Sequence, residues 1–517
     1  MDLNKLKAKE STMRYLNFVE ITLFIIATAL VVAGLSSNPS SGYFPTTNWR
    51  ISTPEAQGID SEELAKVFDF VKKNDINIHS LLLIRNGYLV MEAYFYPNSK
   101  GIIHDVASVT KSITSILIGI AIDNGFIKNV HQPVLDFFAD RKIANLDDRK
   151  KRLTIEHLLT MRTGLCRDFR DGERQLDDMR QTDDWVQYML DQPMLTEPGT
   201  EFAYCTGGTH LLSAIITQAT GLNELEFAQK YLFEPLGINE MIWPADSQGN
   251  STGGFDLHLH PLDMAKIGYL LLNNGIWTDK QIISKKWIEQ STMVHVTLDD
   301  GEHYGYLWWS PDESPDLIEA RGRGGQRIIF SKQKNVVVVF TGSGFEPGDV
   351  GAILAAALCS DQSLPENPEA YKLLTSKIEA AAKAPEPKSV PRLPDIAQKI
   401  SGKTYQFEPN ALGLISFSLL FGNGAEAKLT LIEDDNYEEN LIGLDDVYRF
   451  SNNSGFGLPE ALKGLWISDH EFELIYNEFA DNHLWNIRFR FENDSAFVQF
   501  IENTGLLNET FSAVLKK

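Results

Sequence analysis

Apolar residues fall along this chain in three regimes, and each predicts different elements. Residues 21–35 (ITLFIIATALVVAGL) form a nearly unbroken apolar run without a polar face, behind Lys5, Lys7, Lys9 and Arg14 and ahead of the turn-rich SSNPSSGYFPTTN. A basic leader, an apolar run and small polar residues after it make a secretory signal, or a single membrane anchor if the segment is retained. Residues 1–45 are therefore set apart as export segment and linker. Positive charge ahead of the run predicts that the body of the chain lies outside the membrane, periplasmic or otherwise extracytoplasmic, anchored by residues 15–35 where the segment stays uncleaved.

From residue 46 to 380 the period switches between two and 3.6. Residues 81–84 and 88–96 (LLLI and YLVMEAYFY) flank Asn86-Gly87, the signature of a strand–turn–strand. Residues 108–124 (SVTKSITSILIGIAIDN) follow, with Ile113, Ile116, Leu117, Ile120 and Ala121 in one stripe, so this segment is read as a helix packed on a core. A mainly helical region comes next. Strand-like residues 306–309, 327–330 and 336–340 return after it, with a turn at Lys334-Asn335. Strands at both ends of a region with a helical middle predict an α/β (α+β) architecture: an antiparallel sheet flanked by helices, plus an all-helical lobe. Residues 381–394 (AAKAPEPKSVPRLP) have the Pro-rich, charged make-up of a semi-rigid linker. Beyond them, alternating runs such as 472–476 and 484–491 recur at hairpin spacing, which makes residues 395–517 a small all-β domain.

The start of the buried helix carries candidate chemistry. Ser108 and Lys111 stand three apart, hence on one face, one turn above the other. A hydroxyl in the first turn faces unpaired N–H groups and the positive end of the helix dipole, where negative charge is favoured. A buried lysine loses its proton readily, and the neutral amine accepts a serine proton. Nucleophile, base and anion-stabilising amides thus fall within one turn. The pair alone is not diagnostic, because an N-cap serine beside a snorkelling lysine has the same spacing.

Composition narrows the class. A chain of 517 residues with 43% hydrophobic content buries a large core in two or three domains. A formal net charge of −23 argues against nucleic acid and anionic membrane surfaces as partners, leaving the membrane only to the N-terminal segment. Cys166, Cys205 and Cys359 are too few and too scattered for a disulfide framework or a metal cluster. At most one pair forms, and buried free thiols are the expectation.

Several segments, taken in order, carry a resemblance. Residues 87–96, Ser108-Val-Thr-Lys-Ser-Ile, 153–165 (LTIEHLLTMRTGL), 197–204 (EPGTEFAY), 210–214 (HLLSA), 232–237 (LFEPLG), 262–268 (LDMAKIG), 304–309 (YGYLWW) and 322–326 (GRGGQ) resemble the serine β-lactamase-like superfamily. That family comprises class C β-lactamases, DD-peptidases, and related esterases and 6-aminohexanoate-dimer hydrolases. The likeness spans residues 60–358. It implies a two-lobed β-lactamase/transpeptidase-like fold, Ser108 as nucleophile, Lys111 as base, and no metal or organic cofactor. The family's Tyr-x-Asn element reads Tyr204-Cys205-Thr206 here. The resemblance therefore implies Tyr204 as a partner in proton transfer, its pKa lowered by an electropositive site. Thr206 lacks the paired donor and acceptor of the family's asparagine, which turns recognition away from β-lactams and peptide side-chain amides. Arg323-Gly324-Gly325 stands in place of Lys-Thr-Gly. Arg323 keeps a positive charge suited to a substrate carboxylate, and Gly324 and Gly325 allow close backbone approach. The implied oxyanion hole is the main-chain N–H of Ser108 and of Gln326.

These departures point to a small carboxylic ester or amide, hydrolysed through an acyl-enzyme on Ser108. A cell-wall DD-peptidase or weak β-lactamase is one alternative, and a non-catalytic penicillin-binding-like sensor another. Retention of Ser108, Lys111 and Tyr204 together weighs against the sensor. Of the remaining candidates, His157 is read as a structural helix residue and Asp263 as a helix cap. His258 and His260 alternate on a strand-like piece beside the pocket, without the carboxylate pattern of a zinc site. Asp168, Arg170 and Asp171 fall in a polar loop near the substrate side, and Trp308 and Trp309 in the core, with one as a pocket wall.

Overall fold

The computed structural model describes residues 43–517 except Ala411, Asn423, Asp435, Ser454, Gly455 and Lys517. The export or anchor segment expected at 15–35 lies outside the described residues. Among the described residues no helix is long and apolar enough to cross a membrane. Residues from Phe44 onward form one compact unit.

An eight-stranded antiparallel sheet organises the first part of that unit. Its order is Tyr88–Tyr94, Ile78–Arg85, Val336–Gly342, Gln326–Ser331, Leu317–Gly322, Trp309–Ser310, His303–Tyr304 and Val296–Thr297. The chain returns late to pair with its own opening hairpin, Leu82 opposite Val339. Asn86 and Gly87 both take positive φ, 52° and 75°, as a two-residue turn with the twist of its strands requires. Period-two alternation then sorts side chains onto two cores. Leu82, Ile84, Val337 and Val339 join one; Leu81, Leu83, Val338 and Phe340 join the other. Helices Ser61–Lys73, Gly348–Ala357 and Pro368–Ala382 close the second face. Helices Val109–Asp123 and Pro261–Leu272 close the first, next to the helical lobe that includes Thr206–Thr220.

The helix Val109–Asp123 is buried on nearly every side, not along one stripe. Two of its polar residues are absorbed by long-range bonds: the Ser112 hydroxyl donates to the Leu307 carbonyl at 2.6 Å, and Thr114 to the Gly253 carbonyl at 2.7 Å. The same bonding explains why residues 306–309 form no continuous strand. The amides of Tyr306 and Leu307 go to the carbonyls of Ser291 and Leu159, and only Trp309–Ser310 enters the ladder. The loop expected around Asp168 is largely helix, Phe169–Arg180, with Asp168 as its N-cap. Cys166 and Cys205, expected as free thiols, form a disulfide with Cα atoms 6.1 Å apart, while Cys359 is free and exposed. Thirty-nine residues separate that pair, so only the packing of the helical lobe brings them together.

Residues 404–515 form a closed barrel of ten strands. Neighbours pair antiparallel from Asn436–Gly443 round to Arg449–Ser451, and Gly443 opposite Lys463 closes the ring. Inward residues such as Phe417, Phe472, Ile487, Phe489 and Val498 alternate with outward ones and fill it.

Candidate active site

The approach to Ser108 is a strained turn. Asp105 ends a short strand, and its carboxylate accepts from the Ala107 amide at 2.7 Å. Ala107 sits at φ +48°, a left-handed conformation that a residue with a Cβ adopts only when its surroundings impose it. Ser108 follows as the N-cap of the buried helix. Lys111 Nζ lies 2.9 Å from Ser108 Oγ and donates to the Gly254 carbonyl at 2.8 Å. Burial pulls the Lys111 amine down to about 7; Glu173 and Asp256 oppose that shift and Arg180 adds to it. The group three residues from the hydroxyl is therefore poised to act as a base near neutral pH.

Gly254 fits this corner by having no side chain. A Cβ there would strike Thr209 Oγ1 and reach within 3.0 Å of Thr206 Cγ2 and 3.3 Å of Lys111 Nζ. Thr206, the first residue of its helix and 3% exposed, thus lies beside the lysine. Tyr204 precedes it. Its ring centroid is 4.9 Å from Lys111 Nζ and stacks on Trp309 at 6.2 Å. Burial pushes the Tyr204 phenol well above its ordinary range, and its hydrogen bond to Ser108 only partly offsets this. The lowered pKa expected from sequence is thus reversed, because desolvation outweighs any positive field. In the resting site Tyr204 is a phenol, and Lys111 is the group that titrates near neutrality.

Arg323, Gly324 and Gly325 form the hairpin turn between Leu317–Gly322 and Gln326–Ser331. Gly324 and Gly325 take φ of 84° and 101°, and a Cβ on Gly325 would enter the Phe345 ring. Gly322 is pressed onto the serine turn: a Cβ there would strike the Val106 carbonyl and lie 3.2 Å from the Ala107 Cβ. This contact brings Gln326, the residue opposite Gly322, to the nucleophile side. The Gln326 side chain is fully buried and locked, donating to the Gly342 carbonyl at 2.6 Å and accepting from the Gly342 amide at 3.1 Å. Arg323, expected to meet a substrate carboxylate, donates through Nη1 to Thr504 Oγ1 of the barrel at 2.7 Å.

The other sequence candidates take supporting places. His157 completes a capping box with Thr154. Asp263 pairs with Lys266 at 2.8 Å in the first turn of Pro261–Leu272, whose N-cap is His260. His260 bonds Glu240, and His258 bonds Asp481 of the barrel at 2.8 Å. Asp171 pairs with Arg174 along the helix that Asp168 caps, on which Arg170 also lies. Trp308 is core and Trp309 is the wall behind Tyr204. Among the described residues no group of three His, Cys, Asp or Glu side chains has the geometry to hold a metal.

Sequence reasoning missed Asp105 and the barrel residues Asp481, Asn482, Asn503 and Thr504 at the rim of this site. Asp481-Asn482 looks like any hairpin turn, and nothing local signals a partner more than two hundred positions away.

The family model described as Beta-lactamase matches residues 65–359, more than half of the chain. The chain is similar to the 6-aminohexanoate-dimer hydrolase of Paenarthrobacter ureafaciens, 22% identical over 294 residues, which are 52% of this chain and 73% of that protein. It is also similar to the monacolin J acid methylbutanoyltransferase of Aspergillus terreus, 29% identical over 154 residues, or 26% of this chain and 37% of that one. Among solved structures, the octameric penicillin-binding protein homologue from Pyrococcus abyssi matches with a TM-score of 0.47 at 18% identity, over 88% of this chain and 100% of that one.

Proposed function

Because this chain belongs to the beta-lactamase family and is a hydrolase of that fold, we propose that it cleaves carboxylic esters or small amides through an acyl-enzyme on Ser108. The observation that carries the reading is the 2.9 Å approach of Lys111 Nζ to Ser108 Oγ, with an amine that burial makes half-neutral near pH 7. Neutral Lys111 takes the Ser108 proton as Oγ attacks the substrate carbonyl. The tetrahedral oxygen then carries the negative charge, and the main-chain N–H groups of Ser108 and Gln326 stabilise it; a donor of this kind is worth about 3 kcal/mol of barrier. Tyr204, held as a phenol between Ser108 and Lys111, passes a proton to the departing alkoxide or amine and is reprotonated from Lys111. Water, deprotonated by the same base, releases the acyl group and restores Ser108.

Thr206 supports small esters and amides over β-lactams. A threonine hydroxyl lacks the paired donor and acceptor that would hold the side-chain amide of a β-lactam. The full chain is expected to hydrolyse p-nitrophenyl acetate and butyrate, and Ser108→Ala to abolish it, with nitrocefin turned over slowly or not at all. Ester turnover that survives in Ser108→Ala would sink the proposal. Nitrocefin turnover faster than that of the esters would move the reading to a β-lactamase.

A further inference from the structure

We propose that Asn482, on a turn of the C-terminal barrel, is a positioning residue for the candidate active site, holding the backbone segments that carry the Ser108 and Gln326 amides. The inference rests on Ser108 being the nucleophile. On one side, Asn482 Nδ2 donates to Asp105 Oδ2 at 2.5 Å, while Asp105 Oδ1 accepts from Ala107 N at 2.7 Å. The neighbouring Ala480 carbonyl accepts from the Asp105 amide at 2.7 Å. The Asp105 carboxyl is thus clamped between the barrel and the left-handed Ala107, whose conformation aims Ser108. That conformation is not intrinsic to alanine, so an outside restraint must hold it, and Asn482 supplies one end of it.

On the other side, the main-chain carbonyl of Asn482 accepts from Ser343 Oγ at 2.7 Å, and Ser343 Oγ also meets Asn503 Oδ1 at 2.9 Å. Ser343 directly follows Gly342, the residue gripped by both ends of the Gln326 amide side chain. One residue therefore ties together the turn before Ser108 and the strand end beside Gln326. These are the two places whose spacing sets the oxyanion hole. Asn482 itself is 0% exposed at φ +55°, and its Oδ1 is buried without a partner, 3.2 Å from where a Cβ on Gly324 would stand. A hairpin turn has no folding need for a buried amide with an orphan carbonyl, which costs stability. Its side chain is explained by what it holds on the far side of the domain boundary.

The test uses the full chain and p-nitrophenyl butyrate. Asn482→Gly removes the amide but keeps the left-handed backbone, and should lower kcat about a hundredfold, as loss of one oxyanion donor does, with KM changed less than about threefold. N482D sets two carboxyls face to face and should lose activity similarly. The swapped pair D105N/N482D restores one donor against one acceptor and should recover at least about tenfold of the N482D loss. A kcat in Asn482→Gly within about threefold of the parent, or a swapped pair no better than N482D, would overturn the proposal. If Asn482→Gly does not fold, the comparison of N482D with the swapped pair decides by itself. Labelling of the unsubstituted chain with a fluorophosphonate separates the two readings. Label on Ser108 with unchanged variant kinetics defeats only the positioning role, whereas absence of label on Ser108 defeats the nucleophile assignment and this inference with it.

Discussion

At the level of single residues, the proposed chemistry turns on Lys111. An amine 2% exposed and touching a serine hydroxyl is useful only when neutral, and burial brings that condition down to about pH 7. The rate constant kcat/KM for ester hydrolysis should therefore rise with pH through an inflection near 7 and level off above it, since the deprotonated lysine is the active form. Tyr204 adds no second inflection below pH 10, because burial pushes its phenol the other way. A profile measured with p-nitrophenyl acetate checks this; a single inflection near 10 would mean a lysine solvated like one on the surface. Tyr204 and Lys111 show one cause acting in opposite senses. Desolvation disfavours charge, so it lowers the amine and raises the phenol.

The helix Val109–Asp123 is the element on which the site stands, and its orientation depends on close packing all round. Gly119 faces the Trp287 indole so closely that a Cβ would overlap the ring. Alanine normally gains about 1 kcal/mol over glycine in a helix. Here overpacking, typically about 1–3 kcal/mol, opposes that gain and shifts the helix against its core. Gly119→Ala is therefore expected to destabilise the protein by about 1–2 kcal/mol and to reduce kcat, because Lys111 and Ser108 ride on the displaced helix. Chemical denaturation together with ester kinetics measures both; a stabilised variant would show that Trp287 moves aside at no cost. The same packing explains why this helix tolerates Ser112 and Thr114 in its interior, since both hand their hydroxyls to carbonyls of distant loops.

At the scale of the whole molecule, the barrel is joined to the part that holds the candidate site through titratable groups. Burial pulls His258 down, but its bond to Asp481 and the charges of Asp105 and Asp481 outweigh this and leave its pKa raised. Burial also raises Asp105, and burial with the Asp105 charge raises Asp256 to about 6. All three folded-state values lie above the unfolded ones, so the native state holds protons that the unfolded chain gives up. Stability from the histidine is complete below about pH 6.5 and is lost as pH rises through its folded value; that from the two acids falls from about pH 4 upward. The junction should loosen between pH 6 and pH 8.5. Amide exchange of residues 479–482, corrected for intrinsic rates, should then be faster at the higher pH by more than in D481N, which lacks the pair. Equal pH dependence in the two proteins would exclude this linkage.

The hairpin at Asn86-Gly87, the buried helix at 108–124, the antiparallel sheet and the all-β end were all legible from sequence, because each is written in a period of 3.6 or two and closed by residues of fixed backbone preference. The Ser108–Lys111 contact belongs with them, since three residues along a helix are neighbours wherever the helix lies. The direction of the Tyr204 shift, the commitment of Arg323 to Thr504, the Cys166–Cys205 bond and the reach of Asn482 to Asp105 carry no such period. Each depends on which remote segments exclude water or supply a partner. Tertiary packing alone decides that, because burial and long-range hydrogen bonding are properties of the folded surroundings and not of neighbours in the chain.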